Sequence, residues 1–144
     1  MSALRTVVPS GLVAVFLLLA ALHVYWALGG RWGASVAVPE VDGRPAFRPG
    51  RGATVSVALL LALAAAVIAI RSNLVQSPAL SVLPAKLGAW TLFAVFLLRA
   101  VGDFKRVGLF KATRDTAFAR YDTFLFSPLS LAIALGCLLS ALGP

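Results

Sequence analysis

Four long apolar stretches fill most of this 144-residue chain, and nearly every charge falls between them. Residues 6–30, 53–70 and 123–143 carry no Asp, Glu, Lys or Arg, and 80–98 is broken only by Lys86. A helix needs about 20 mostly apolar residues to cross the hydrocarbon core of a bilayer. The pattern predicts an all-α integral membrane four-helix bundle, with spans near residues 8–30, 53–71, 84–102 and 122–142. A long irregular loop should join the first two helices, and an interfacial segment the last two. Residues 1–144 read as a single domain, because almost nothing is left over for a soluble one.

Composition agrees. The chain is 60% hydrophobic and 12% charged, whereas soluble domains average about 25% charged. Net charge is +8. The basic residues border the spans, so anionic lipid headgroups are the expected partner. No basic stripe interleaved with stacking aromatics stands apart from the membrane segments, which argues against nucleic acid. Cys137 is the only cysteine, which excludes a Cys-x-x-Cys redox enzyme and leaves Cys137 as a small packing residue. Arg5, the apolar run and Ala20-Ala21 have the outline of a secretory signal. The run continues through Val24, Tyr25 and Trp26, however, and cleavage would leave an odd number of spans, so a retained span is expected.

The first span should begin near Pro9-Ser10, since proline suits a first helical turn. Tyr25, Trp26 and Trp32 at its far end suit an interfacial aromatic belt. Three prolines and several glycines in the following loop argue against regular structure there. In the second span Ala58, Ala62, Ala66 and Ala69 make a small-residue stripe, as Ala132, Gly136 and Ser140 do in the fourth, and such stripes allow close helix packing. Pro84 should open the third span. The segment 104–121 mixes Lys105, Arg106, Lys111, Arg114 and Arg120 with Phe104, Val107, Phe110, Phe118 and Tyr121, and reads as lying along the interface.

Four spans put both termini and the 71–83 loop on one side. That side holds Arg5, Arg71 and Lys86; the other holds the remaining ten basic residues and all five acids. The positive-inside rule then predicts a cytoplasmic-membrane protein with cytoplasmic long loops and both termini outside.

Candidate site residues gather on the basic side. His23 lies 13 residues after Ser10, about 20 Å along its helix, and Arg99 lies 15 after Pro84, about 22 Å. Both should sit at similar depth near the same face, and ionisable residues within spans default to functional candidates. Asp103 is one turn beyond Arg99, spaced to pair with it if the helix continues. Asp122 suits a helix cap or a weaker fourth site member. The expected ligand-binding set is His23, Trp26, Arg31, Trp32, Arg99, Asp103 and Asp122. One histidine and scattered acids give no metal spacing, no single-histidine haem site is indicated, and no phosphate loop or hydrolase motif is present; no cofactor is expected.

Six motifs together resemble a known family. They are His23-x-x-Trp26 continuing to Gly33, Phe47-Arg48-Pro49-Gly50, Arg99-x-x-Gly102-Asp103-Phe104, Val107-Gly108-Leu109-Phe110-Lys111, Phe118-Ala119-Arg120-Tyr121-Asp122 and Ser127-Pro128-Leu129. The chain resembles the small bacterial four-span membrane proteins grouped as domain of unknown function 3995. The resemblance covers nearly all of it, and the His-x-x-Trp and Arg-x-x-Gly-Asp-Phe pieces are the most specific. It implies a four-helix membrane bundle in the bacterial inner membrane and carries no activity with it. Three function classes stand. The first is a protein binding a lipid, an anionic amphiphile or a protein partner at its basic face. The second is a small membrane enzyme of isomerase or cyclase type, in which His23 and Asp103 exchange protons while Arg99 holds an anionic group. The third is a transporter, which with so few spans requires oligomerisation; homo-oligomer formation is left open by the sequence.

Overall fold

A computed structural model describes residues 2–76 and 82–143. Its long helices are α1 (Ser2–Ala27), α3 (Arg51–Arg71), α4 (Val82–Val101) and α6 (Ser127–Leu142). Between α1 and α3 lie a single turn, α2 (Ala34–Ala37), and a two-residue hairpin, β1 (Glu40–Val41) and β2 (Arg44–Pro45). Between α4 and α6 come an irregular loop, α5 (Ala117–Tyr121) and a π-helical turn, Asp122–Phe126, that runs straight into α6. Four segments are long and apolar enough to span a membrane: Thr6–Ala27, Arg51–Arg71, Leu83–Val101 and Ala117–Leu142. The chain is a multi-pass integral membrane protein built as an all-α four-helix bundle.

Burial shows why these helices belong in lipid. Eleven of the seventeen buried hydrophobic residues among those described are alanine, while Leu17, Leu18, Leu59, Leu60, Leu63, Leu87, Leu98 and Leu139 are exposed. Lipid rewards large apolar side chains facing outward and leaves small residues to bring backbones together. α1 packs against α3, α4 against α6, and α3 bridges to α4. The shared core holds Leu12, Phe16, Ala64, Ala65, Ile68, Ala89, Ile133, Cys137 and Ala141. Phe16 and Phe96 meet across it with ring centroids 5.5 Å apart. Leu12 packs so close to α6 that a Cβ on Gly136 would lie 2.9 Å from its Cδ1.

Several expectations shift by a turn. α1 starts at Ser2, so Pro9 lies inside the helix rather than opening it. α4 starts at Val82, two residues before Pro84. In α3 the buried face is Ala58, Ala64, Ala65, Ile68 and Ala69, whereas Ala62 and Ala66 face outward. Steps of four residues drift about 40° on a helix of 3.6 residues per turn, which carries Ala62 and Ala66 off the face. Ala132 is likewise exposed, while Gly136 and Ser140 are buried. The hairpin turns on Asp42 and Gly43, both with positive φ (51° and 73°), the backbone a two-residue type I′ turn requires. Cys137 is fully buried in the core, a packing residue.

Direction alternates down the bundle. Arg71, at the end of α3, donates through Nη2 to the carbonyls of Ala141 and Gly143 at the end of α6. At the opposite end α2 packs against α5. The two long loops therefore share one end of the molecule, and the start of α1 and the end of α6 share the other.

Candidate functional site

Two polar centres form at the loop end. The first is built around the end of α1. His23 Nδ1 donates to the Leu19 carbonyl at 2.7 Å, and its ring meets Trp26 edge-on with centroids 5.0 Å apart. Trp26 Nε1–H donates to the Trp32 carbonyl at 2.8 Å, and the Trp32 amide donates to the Tyr25 hydroxyl at 3.4 Å. The Tyr25 ring covers Gly30 so closely that a Cβ there would sit 2.3 Å from it. These contacts fold residues 28–33 back over the helix end and stand α2 off from α3. The gap is a cleft of about 420 Å³ lined by His23, Trp26, Gly30, Ala34, Ala37, Val38, Phe47, Pro49, Ala53, Thr54 and Val57.

The second centre is an ion cluster beneath the α4–α5 loop. Asp122 is wholly buried. Its Oδ1 accepts from Arg99 Nη2 at 2.7 Å. Its Oδ2 accepts from the Gly108 amide at 2.8 Å and from Ser127 Oγ at 3.1 Å, and lies 3.1 Å from Lys111 Nζ. Lys111, only 3% exposed, also donates to the Gly108 carbonyl at 3.1 Å and to Thr123 Oγ1 at 2.6 Å. The π-helical turn makes this possible. The Ser127 amide bonds the Asp122 carbonyl five residues back, so the two side chains meet on one face. Two cations around one carboxylate leave the cluster with a net charge of +1. Arg99 remains 34% exposed, and its Nη1, buried, has no hydrogen-bond partner among the described residues.

The loop is shaped by backbone that glycine permits. α4 ends at Val101, and Gly102 (φ 85°) and Gly108 (φ 95°) are left-handed. A Cβ on Gly102 would lie 1.7 Å from the Val107 carbonyl oxygen, and one on Gly108 would lie 2.3 Å from that of Val101. The left-handed turn points Asp103 away from Arg99. Its Oδ1 instead accepts from the amides of Lys105, Arg106 and Val107 at 2.7–2.9 Å. Those bonds, chiefly from Arg106 and Val107, hold the exposed carboxyl below its ordinary range.

The expected site residues therefore divide. His23 and Trp26 line the cleft together. Arg31 and Trp32 are exposed on the turn beside it. Arg99 and Asp122 pair with each other, and none of Arg99, Asp103 or Asp122 lines the cleft. The i, i+4 pairing of Arg99 with Asp103 does not form, because helix geometry stops before Gly102. Asp122 is an ion-pair partner in mid-helix rather than a cap; Thr116 caps α5, accepting from the Ala119 amide at 3.0 Å. Lys111 was not singled out by the sequence, where nothing separates it from the exposed Lys105 and Arg106 except its place in the Val107–Lys111 motif. Among the described residues no three His, Cys, Asp or Glu side chains gather to hold a metal ion.

No curated protein and no solved structure matches the chain. A family match does exist, over residues 16–137, which takes in both polar centres, the second and third spans, and most of the first and fourth. The chain belongs to that family, described as Protein of unknown function (DUF3995).

Proposed function

We propose that this protein binds an anionic amphiphile of the bacterial inner membrane in the cleft between α1, α2 and α3. The observation that carries the reading is the cleft itself: apolar walls with a basic rim. Its size falls at the lower end of the roughly 300–1,000 Å³ usual for small-molecule sites. Arg31, Arg48 and Arg51 each lie one or two residues from a lining residue, and all three are exposed. The first amides of α3 open beside them, since Gly50 supplies no side-chain cap, and a helix start favours negative charge. An anionic headgroup among these donors, with its chain against Phe47, Ala53 and Val57, uses both halves of the cleft.

Sidedness follows from charge. Arg71 is bonded to helix ends, and Arg99 and Lys111 are bonded to Asp122. Setting these three aside leaves eight basic residues at the loop end against Arg5 and Lys86 at the other. Such a bias supports a topology with the long loops in the cytoplasm and the termini outside. Cysteine labelling in whole cells tests this. Asn73→Cys should react with an impermeant thiol reagent while Arg44→Cys stays protected, and the reverse pattern inverts the topology. The acid–base alternative finds no support in the geometry, because Asp103 is occupied by three amides and stands away from the cleft.

Retention of lipid by the purified chain tests the binding. Phosphatidylglycerol and phosphatidic acid should be held more tightly than phosphatidylcholine. A basic residue near a lipid headgroup is worth about 1 kcal/mol, so Arg48→Gln with Arg51→Gln should weaken the anionic lipids about thirtyfold. Equal retention of all three lipids, unchanged by the double substitution, would end the proposal.

A further inference from the structure

The polar atoms inside the cleft are sorted by kind. Only His23, Trp26 and Thr54 among its lining side chains carry nitrogen or oxygen. All three already donate their hydrogen in a bond to a backbone carbonyl. A carbonyl oxygen can only accept, so the 2.7 Å contact to Leu19 puts the proton of the neutral imidazole on Nδ1. Trp26 Nε1–H is committed to the Trp32 carbonyl. Thr54 Oγ1–H is committed to the Gly50 carbonyl at 3.1 Å. The open positions are therefore acceptors: the Nε2 lone pair of His23 and the remaining lone pairs of Thr54. The rim offers donors and positive charge, and one turn deeper the side chains offer acceptors alone.

This division selects among anionic amphiphiles. A diacyl phospholipid places ester oxygens below its phosphate, which are acceptors facing acceptors. Binding it would leave Nε2 desolvated and unpaired, and such mismatches are penalised far more than a missing methylene. A ligand with a hydroxyl below its charged group satisfies both levels. Thr54 lies three residues beyond Arg51, about 5 Å along α3, which matches a hydroxyl a few bonds from a phosphate. The modest volume suits one acyl chain better than two. We propose, resting on the amphiphile reading above, that the cleft prefers single-chain lipids of the lysophospholipid class, the free glycerol hydroxyl donating to His23 Nε2.

The test uses the full chain in maltoside micelles and four probes of matched chain length, titrated calorimetrically. Oleoyl lysophosphatidic acid has one hydroxyl below its phosphate. Its 2-deoxy analogue lacks only that hydroxyl, dioleoyl phosphatidic acid replaces it with an ester, and monoolein lacks the phosphate. Lysophosphatidic acid should bind about three- to tenfold more tightly than the deoxy and diacyl probes, the range expected for one net hydrogen bond. His23→Phe keeps a ring against Trp26 but removes Nε2, and should abolish the preference for the lyso over the deoxy probe. Equal affinity of the unmodified protein for the lyso and deoxy probes overturns the inference, whether or not the variant folds, and leaves the amphiphile reading standing. If the three phosphate lipids bind no better than monoolein, that reading fails and the inference with it.

Discussion

Replacing Asp122 by alanine is the perturbation with the largest expected effect. The carboxylate is wholly buried and receives Arg99, Lys111, the Gly108 amide and Ser127. Deleting it strands Lys111, 3% exposed, as a buried cation whose other contacts are the Gly108 carbonyl and Thr123. Breaking a buried pair by removing one partner costs about 3–5 kcal/mol, mostly because the survivor is left uncompensated. For a domain of this size that lowers the unfolding midpoint by on the order of 10 °C. Asp122→Asn keeps shape and some hydrogen bonding but not charge, and should fall between Asp122→Ala and the parent. The diagnostic variant is the double one. If the damage comes from the stranded charge, adding Lys111→Met to Asp122→Ala should restore part of the loss, a coupling of about 1–3 kcal/mol. Thermal unfolding in detergent, followed by helical circular dichroism, reads these four proteins and Lys111→Met alone, which closes the cycle. Losses from the two substitutions that simply add, or a midpoint for Asp122→Ala within a degree or two of the parent, would refute the buried-cation argument.

Other outcomes follow from single contacts. Arg71→Leu removes the bonds to the Ala141 and Gly143 carbonyls; charged hydrogen bonds are worth about 1.5–3 kcal/mol, and amide exchange at residues 139–143 should quicken while the loop end is unaffected. Gly136→Ala forces a methyl against Leu12 and should cost about 1–3 kcal/mol, with Leu12→Ala added in the same chain relieving part of the overpacking. Asp103 has a folded-state pKa below the ordinary value for an aspartate because three amides stabilise the carboxylate. Its contribution is therefore present above that ordinary value and is lost as pH falls through the lower folded value. Proteolysis of the 102–116 loop should accelerate on acidification below about pH 4, and Asp103→Asn should remove that dependence; a loop equally resistant at all pH would show that the bonds do not hold it.

The spans were legible because lipid imposes one requirement that sequence states directly: some twenty residues without charge. Faces within a span were less so. α3 carries alanine all round, at Ala58, Ala62, Ala64, Ala65, Ala66 and Ala69, so composition did not choose which of them a neighbour would cover. In α6 the choice was clearer only where a large partner had to fit, as Leu12 does over Gly136. The residue types of Asp42-Gly43 favour the turn they form, while the prolines around them argue for irregular chain.

The site divided along a different line. Depth arithmetic put His23 and Arg99 at the same end because rise per residue is fixed, but depth says nothing about which neighbours a helix has. α1 packs on α3 and α4 packs on α6, so His23 faces a cleft shared with α2 and α3 while Arg99 pairs with Asp122. Asp103 failed to pair for a local reason: one left-handed glycine between it and Arg99 turns the chain before the fourth residue of the spacing is reached. The same bend delivers the Gly108 amide and Lys111 to Asp122. Sequence spacing counts along a helix, and the partners here are decided by where the helix stops. That makes Gly102 the residue on which the arrangement turns. Its left-handed φ and the 1.7 Å approach to the Val107 carbonyl leave no room for a side chain. Gly102→Ala should therefore push α4 onward toward Asp103, withdraw Gly108 and Lys111 from Asp122, and weaken the ion cluster without altering any charged residue.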